Sequence, residues 1–380
     1  MIGRLARLAS TLTLLLAACA SPAGAPEAPP SGTVASATTA AIAAASTPSP
    51  PPIATPTPTA DGTATTLPSS ADSISISAVG DISLARQVVD RMQVDGAAYP
   101  FALVAPLIDG DIGFGNLEGA LTDRGEPWPK GFTFRTPPRF VSALSAGHIR
   151  VVTLANNHIM DYGANGLDDT IAALDAAGIE HVGAGTDAAA ASTAVIVTVR
   201  GLRVAFLGYV LTPDEAGGFS IRSWAAGPGT PGVTIASTEK IREDVSAARQ
   251  AADFVIVAVH AGDEYQAAPN ATQRLLAQAA LDAGAAAYLG AHAHVVQPVE
   301  QRGHQIIAWG LGNFVFDLDQ ADLANIPAPH VSLILKITLT KGAGVTGYET
   351  IPVTLDAASD RPRPATPDEA AMLRKMIAPN

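Results

Sequence analysis

The chain has 380 residues, of which 48% are hydrophobic, 15% charged and 5% aromatic, a globular composition that excludes wholesale disorder. At roughly 150 residues per domain, this length predicts two or three domains. A formal net charge of −12 excludes nucleic acid as a partner and gives no affinity for anionic lipid headgroups, and the single cysteine excludes an internal disulfide or a cysteine-rich metal cage.

The N-terminus reads as an export signal. Arg4 and Arg7 precede an apolar run, Leu8 to Ala18, that ends in Leu16-Ala17-Ala18-Cys19. A basic start, a short apolar stretch and small residues before a cut site make a secretory peptide. The run is about half the roughly 20 residues that span a bilayer. With the chain's one cysteine at the cut point, the motif resembles the bacterial lipoprotein lipobox, which implies removal of residues 1–18 and a lipid anchor on Cys19. A plain secretory peptide with an incidental cysteine is the other reading. Residues 19–70 are dominated by Ala, Pro, Ser and Thr, with only Glu27 and Asp61 charged. Such a segment buries too little apolar surface to offset its ordering entropy, and its prolines favour an extended stalk. The folded part is thereby predicted to be exported and tethered at the outer face of a bacterial cell membrane.

From Ser73 onward the pattern becomes β-rich runs alternating with helical ones. Strands are predicted at Ser73–Val79, Ile112–Asn116, Val151–Leu154 and Ile179–Val182, with helices at Leu84–Val94, Pro138–Ala146 and Leu167–Ala177 between them. A hairpin, Ala194–Val199 with Leu202–Tyr209, turns at Arg200-Gly201. Helices at Ser237–Gln250 and Asn270–Ala283 feed strands at Asp253–Val259 and Ala286–Gly290. The remaining runs, Val295–Gln301, Gln305–Trp309, Val331–Leu339 and Val345–Leu355, are all strands. Alternation of α and β predicts mainly parallel pairing first, and the closing strands predict antiparallel pairing, so the fold class is α/β with mixed sheets. Residues 71–357 form the predicted domain, enough chain to bury roughly three quarters of its unfolded surface. Residues 358–380 read as a tail with a short helix, Pro367–Met376, capped by Thr366. The chain carries no GxxxxGK[ST] loop, so P-loop nucleotide binding is not expected.

Chemistry-bearing residues fall just after predicted strands, where α/β sheets place their ligand crevices. Gly80-Asp81, Asn116-Leu117-Glu118, Asn156-Asn157-His158 with Asp161, His260 through Glu264, His292-Ala293-His294 and Gly312-Asn313 each end a strand run. His292 and His294, two apart, would present both rings on one side of an extended segment. Asp81 and Glu118 supply charge, and Asn157 and His260 complete a shell of oxygen and imidazole donors suited to Mn, Fe(II) or Zn. Two dications there would draw an anionic group into this pocket alone. Taken singly, Asp81 reads as an N-cap and Asn156-Asn157 as turn formers; together they read as a metal centre. Asn156, Asp161, Glu264, Arg135 and Asn313 are the candidates for substrate contacts. The loop from Arg124 to Arg139, with Lys130, Trp128, Phe132 and Phe134, is either a grip on an anionic chain or a solvated loop.

These strings together resemble the CapA (PgsA) family of capsule and poly-γ-glutamate biosynthesis proteins. The matching stretches are Val79-Gly80-Asp81, Asn116-Leu117-Glu118, Leu154 to His158 with Asp161-Tyr162-Gly163, His260 through Tyr265, His292 to Gln297, and Gly312 to Phe316. The family is similar to calcineurin-like metallophosphatases, which implies a four-layer αββα sandwich with one or two metal ions at the strand ends. The resemblance implies that Asp81 and His294 ligate a first metal, that Asn157, His260 and His292 ligate a second, and that Glu118 bridges them. It also implies that His158 protonates the leaving group. The first motif departs from the phosphatases, with Ser83 where they carry a histidine.

Two functions follow from that resemblance. One is a metal-dependent hydrolase acting on an anionic phosphoester or γ-glutamyl substrate. The other is a non-catalytic subunit that binds the polymer beside a membrane synthase or exporter.

Overall fold

The computed structural model describes residues 72–378 except 216, 319–323, 325–327 and 329. The signal peptide, Cys19 and the stalk lie outside the described residues. In chain order, the described part begins with β1 (Ser73–Ile82), α1 (Gln87–Asp95), β2 (Ile112–Leu117), β3 (Ala120–Leu121), β4 (Arg135–Thr136), α2 (Ser142–Ala146), β5 (Ile149–Thr153), α3 (Gly163–Ala177) and β6 (Glu180–Val182). It continues with β7 (Ala184–Gly185), α4 (Ala188–Ser192), β8 (Val195–Val199), β9 (Leu202–Leu211), β10 (Gly232–Val233), α5 (Thr238–Ala251), β11 (Phe254–Ala261), α6 (Ala271–Asp282) and β12 (Ala287–Ala291). Strands close the chain: β13 (Val299–Arg302), β14 (Gln305–Ala308), β15 (Asn313–Val315), β16 (Val331–Thr340), β17 (Gly344–Asp356) and β18 (Arg361–Pro364), followed by α7 (Pro367–Met376).

The strands make two large sheets. One runs β18-β17-β16-β1-β2-β5-β6, with β15 added parallel to β1; the other runs β13-β14-β12-β11-β9-β8. Helical crossovers give parallel pairs β1–β2, β2–β5, β9–β11 and β11–β12, whereas the late strands β16, β17 and β18 pair antiparallel. Between the sheets, Ile74, Ile76 and Phe114 pack on Val204, Phe206 and Ile256, with Phe114 and Phe206 stacked at 5.7 Å. Leu144, Leu167 and Leu174 of α2 and α3 cover the outer face of the first sheet. Val245 of α5 and Leu276 of α6 cover that of the second. The result is the four-layer αββα sandwich.

Several boundaries differ from expectation for physical reasons. The helix read from Leu84 begins at Gln87 because Leu84 and Ala85 are buried and the Ser83 N–H donates to the Val315 carbonyl, which keeps this stretch attached to the sheet. Asp81 is therefore a strand residue, with no capping role. Pro138–Ala146 divides into a 3₁₀ turn over Pro138–Val141 and α2. The strand read from Val295 starts only at Val299. Residues after 357 are not an appended tail: β18 pairs with β17, α7 starts in a capping box at Thr366, and Leu373 sits in the inter-sheet core.

Candidate metal centre

The C-terminal ends of the parallel strands of both sheets meet at one rim. Asp81, next to last in β1, donates its N–H to the Gly312 carbonyl at 2.9 Å. That close approach of the β15 segment needs Gly80, because a Cβ there would stand 1.9 Å from the Gly312 oxygen. Glu118 follows β2 and donates its N–H to Ile82 O at 2.8 Å. Asn156, Asn157 and His158 follow β5, His260 lies in β11, and His292 and His294 follow β12. The last two are not on an extended segment, as their spacing suggested. Both have positive φ, 90° for His292 and 56° for His294, so a strained turn rather than strand alternation sets their rings 6.1 Å apart.

Asp81 and Glu118 are both fully buried. Asn116, quoted in the second motif but given no role from sequence, links the donors. Its Nδ2 donates to Asp81 Oδ1 at 2.8 Å and lies 3.3 Å from Glu118 Oε2 and 3.2 Å from His260 Nδ1. Asn156 in turn holds Asn116, donating to Asn116 Oδ1 at 3.0 Å and to Leu117 O at 2.8 Å. His260 Nε2 lies 3.0 Å from Asn157 Oδ1, and His294 Nδ1 lies 2.8 Å from Asn313 Oδ1. Three buried atoms facing this cluster have no hydrogen-bond partner among the described residues: Asp81 Oδ2, Glu118 Oε1 and His292 Nδ1.

Burial raises the Asp81 carboxyl above the usual range, against the lowering effect of His294. Burial, reinforced by the neighbouring Asp81, pushes Glu118 well above it. Burial and nearby imidazoles hold His260 and His292 well below the usual imidazole range, hence neutral with lone pairs available. Buried carboxylate oxygens without donors and neutral imidazoles are the chemistry of a divalent-cation site. Donor atoms of Asp81, Glu118 and His294 lie within 4.8 Å of one another.

His158 sits beside this cluster, its Nε2 3.9 Å from Glu118 Oε1. Asp161 Oδ2 is 2.8 Å from His158 Nδ1 and also accepts the Phe134 N–H at 2.6 Å, while the imidazole stacks on Phe134 at 4.2 Å. Burial lowers the His158 pKa, opposed by Asp161.

Behind it lies Lys130, whose side chain is only 1% exposed. Its Nζ is 3.2 Å from both Asp161 Oδ1 and Glu215 Oε1 and donates to the Asn157 carbonyl. The rings of Phe219 and Trp224 flank the ammonium at 4.8 and 5.2 Å. Glu215 also accepts from Asn157 Nδ2 at 3.1 Å.

A cavity of about 380 Å³ opens beside the cluster, lined among others by Phe132, Asn157, His158, Glu215, Glu264 and His292. A smaller one of about 100 Å³ is lined by Phe134, His294, Asn313 and Phe316. Of the residues singled out from sequence, Asp81, Glu118, Asn157, His158, His260, His292, His294, Glu264 and Asn313 converge here. Asn156 and Asp161 are fully buried behind them and hydrogen-bond to Asn116 and His158. Arg135 does not join: it is exposed, lies over the Tyr162 ring at 4.5 Å and lines neither cavity. Nor does the Arg124–Arg139 loop converge as one basic grip, since Arg124 pairs with Asp169 and Arg139 lies over Phe140.

Residues 75–318 match the family described as bacterial capsule synthesis protein PGA_cap. The PGA biosynthesis protein CapA of Bacillus subtilis (strain 168) is 36% identical over 252 residues, 65% of this chain and 64% of its own. The capsule biosynthesis protein CapA of Bacillus anthracis is 33% identical over 259 residues, 65% of this chain and 60% of its own. A "probable polyglutamine synthesis accessory protein" of Mycobacterium tuberculosis is 34% identical over 255 residues, 64% of this chain and 66% of its own. The chain thus spans less than two thirds of the length of these curated relatives. Among solved structures, a 5'-nucleotidase precursor from Thermus thermophilus aligns with a TM-score of 0.42 at 13% identity, over 80% of this chain and 57% of that one.

Proposed function

The chain belongs to the bacterial capsule synthesis protein family PGA_cap, and on that premise we propose that it is a metal-dependent hydrolase. Its substrate is an anionic phosphoester or γ-glutamyl compound handled during synthesis of capsule or poly-γ-glutamate. The observation that carries this reading is the set of buried atoms that have no hydrogen-bond partner among the described residues, Asp81 Oδ2, Glu118 Oε1 and His292 Nδ1, with His292 also lining the larger cavity. Asp81, Glu118 and His294 would hold one divalent cation, and Asn157, His260 and His292 a second. When bound, such a cation polarises the oxygen of the scissile bond and lowers the pKa of water beside it towards neutrality. Mn, Fe(II) and Zn all suit the donor set.

The chain's own residues supply the rest. Asp161 fixes the His158 imidazole through Nδ1, so the Nε2 side faces the cluster and is placed to protonate a leaving group. Lys130 and Glu215 orient Asn157 from its carbonyl and its amide. The cavity wall carries Asp214, Glu215, Asp263 and Glu264, so an anionic substrate is admitted only when cations offset that charge. Tethering through Cys19 at the outer face of the cell membrane would place this cleft beside a synthase or exporter. Among the described residues no helix is long and apolar enough to cross a membrane.

The test is a screen of phosphoesters and γ-glutamyl amides with purified protein stripped by chelator and reloaded with Mn²⁺ or Zn²⁺. Hydrolysis should need the cation, and His158→Ala should lower its rate by roughly 10²–10⁴-fold. Full rate in both Asp81→Ala and His292→Ala would overturn the mechanism. Ser83, buried in the first motif, brings a hydroxyl in place of an imidazole donor and favours a second reading, a non-catalytic subunit that holds the polymer for a membrane synthase. Recovery of synthase components with the tethered protein, with no hydrolysis under any loading, would select it.

A further inference from the structure

The loop after β11 brings one more donor to the rim. Glu264 is exposed at the cavity, and its carboxylate lies within 4.8 Å of donor atoms of both His292 and His294. The loop is fastened on either side of it. Tyr265 donates its N–H to Ala293 O at 2.7 Å, Gln297 Nε2 donates to Gln266 O at 2.8 Å, and Asn270 Nδ2 donates to Asp263 Oδ2 at 3.1 Å. The first of these bonds ties the loop to the residue between the two histidines. Tyr265 adopts φ of 62°, so three non-glycine residues in this small region, with His292 and His294, are held in left-handed backbone. Such strain persists only where the surroundings over-determine it.

The imidazoles are ready to accept. His292 is 4% exposed and its Nδ1 has no hydrogen-bond partner among the described residues. His294 uses Nδ1 on the Asn313 carbonyl oxygen at 2.8 Å, which leaves the Nε2 lone pair for another partner. One carboxylate with two imidazoles is a donor set for Mn(II), Fe(II) or Zn(II).

We propose that Glu264 is a cation ligand, its carboxylate added to the donors that His292 and His294 bring to the rim. This rests on the reading of the cleft as a metal centre and adds a residue to it. Bound cation would join the rim loop at Gly262–Gln266 to the buried cluster, and a third carboxylate would lower the net positive charge presented to substrate.

Equilibrium dialysis of the full, chelator-treated chain against Mn²⁺ alone, with electron paramagnetic resonance of the bound fraction, tests this. Glu264 is exposed, so Glu264→Gln should melt like the wild type in chelator. It should weaken Mn²⁺ affinity at least tenfold, or lose one equivalent, and alter the resonance of the bound ion. Glu243→Gln, which removes the same charge from the exposed face of α5, should bind as the wild type does. Equal affinity, stoichiometry and spectrum in Glu264→Gln and wild type would overturn the assignment and leave the metal-centre reading standing. Absence of Mn²⁺ binding by the wild type would overturn both.

Discussion

Asp81 and Glu118 have no exposed surface, and among the described residues neither is paired with a lysine or arginine within salt-bridge distance. Without a cation, burial makes each a liability, which is why both titrate above the usual carboxylate range. A raised folded-state pKa means the favourable contribution is present below the unfolded value and lost as pH rises through the folded one. Glu118→Gln should therefore stabilise the chelator-treated protein at neutral pH, raising its Tm by about 2–4 °C, and the gain should vanish near pH 4. Thermal melts at both pH values read this directly; a lower Tm for the variant at neutral pH would refute it. Lys130 presents the opposite case. Lys130→Met leaves Asp161 and Glu215 without their buried cation and should cost about 3–5 kcal/mol in urea unfolding. The carboxylates and imidazoles were legible in the sequence because polar residues at strand ends break an apolar pattern. Lys130 stood out only as part of a basic loop; its burial was not legible, because it depends on Phe219 and Trp224, distant in sequence and without any periodic signal. For His292 and His294 the spacing pointed to the right neighbourhood and the wrong backbone, since the turn at positive φ is set by the loop that Tyr265 ties down.

At the scale of elements, local signals were the most readable. Thr366 before Pro367 announced α7, and its capping box is formed with Glu369. The integration of that helix into the domain was not readable, because Leu373 is one apolar residue among many until the sheets close over it. Likewise β18 is a proline-containing edge strand, a composition that hides strand character. Arg363 donates to both oxygens of Glu369 at 2.9 and 2.8 Å, fastening β18 to α7 and holding that carboxyl down at about 2. The folded pKa is depressed, so the stabilisation is present above the ordinary value of 4.5 and is lost as pH falls towards about 2. Because the pair is partly exposed, Glu369→Gln should cost only about 1 kcal/mol at neutral pH. Urea unfolding of variant and wild type should converge as pH is lowered through that window, and a constant difference would contradict the assignment.

For the molecule as a whole, alternation of α and β made the class of fold readable, but strand order was not, because neighbours such as β1 and β16 pair across more than two hundred residues. That non-local order is what gives the site its two halves. The first sheet supplies Asp81, Glu118, Asn157 and His158, and the second supplies His260, His292 and His294. A cation held by both halves cross-links the two sheets and should stabilise the fold by mass action, by about 2.7 kcal/mol at a hundredfold excess over Kd. Whether these groups form a divalent-cation site is decided by calorimetric titration of the chelator-treated protein with Mn²⁺. The wild type should bind one or two equivalents saturably, and Asp81→Asn and His292→Ala should each reduce the affinity at least tenfold or abolish binding. Absence of binding, or undiminished binding in both variants, would contradict it.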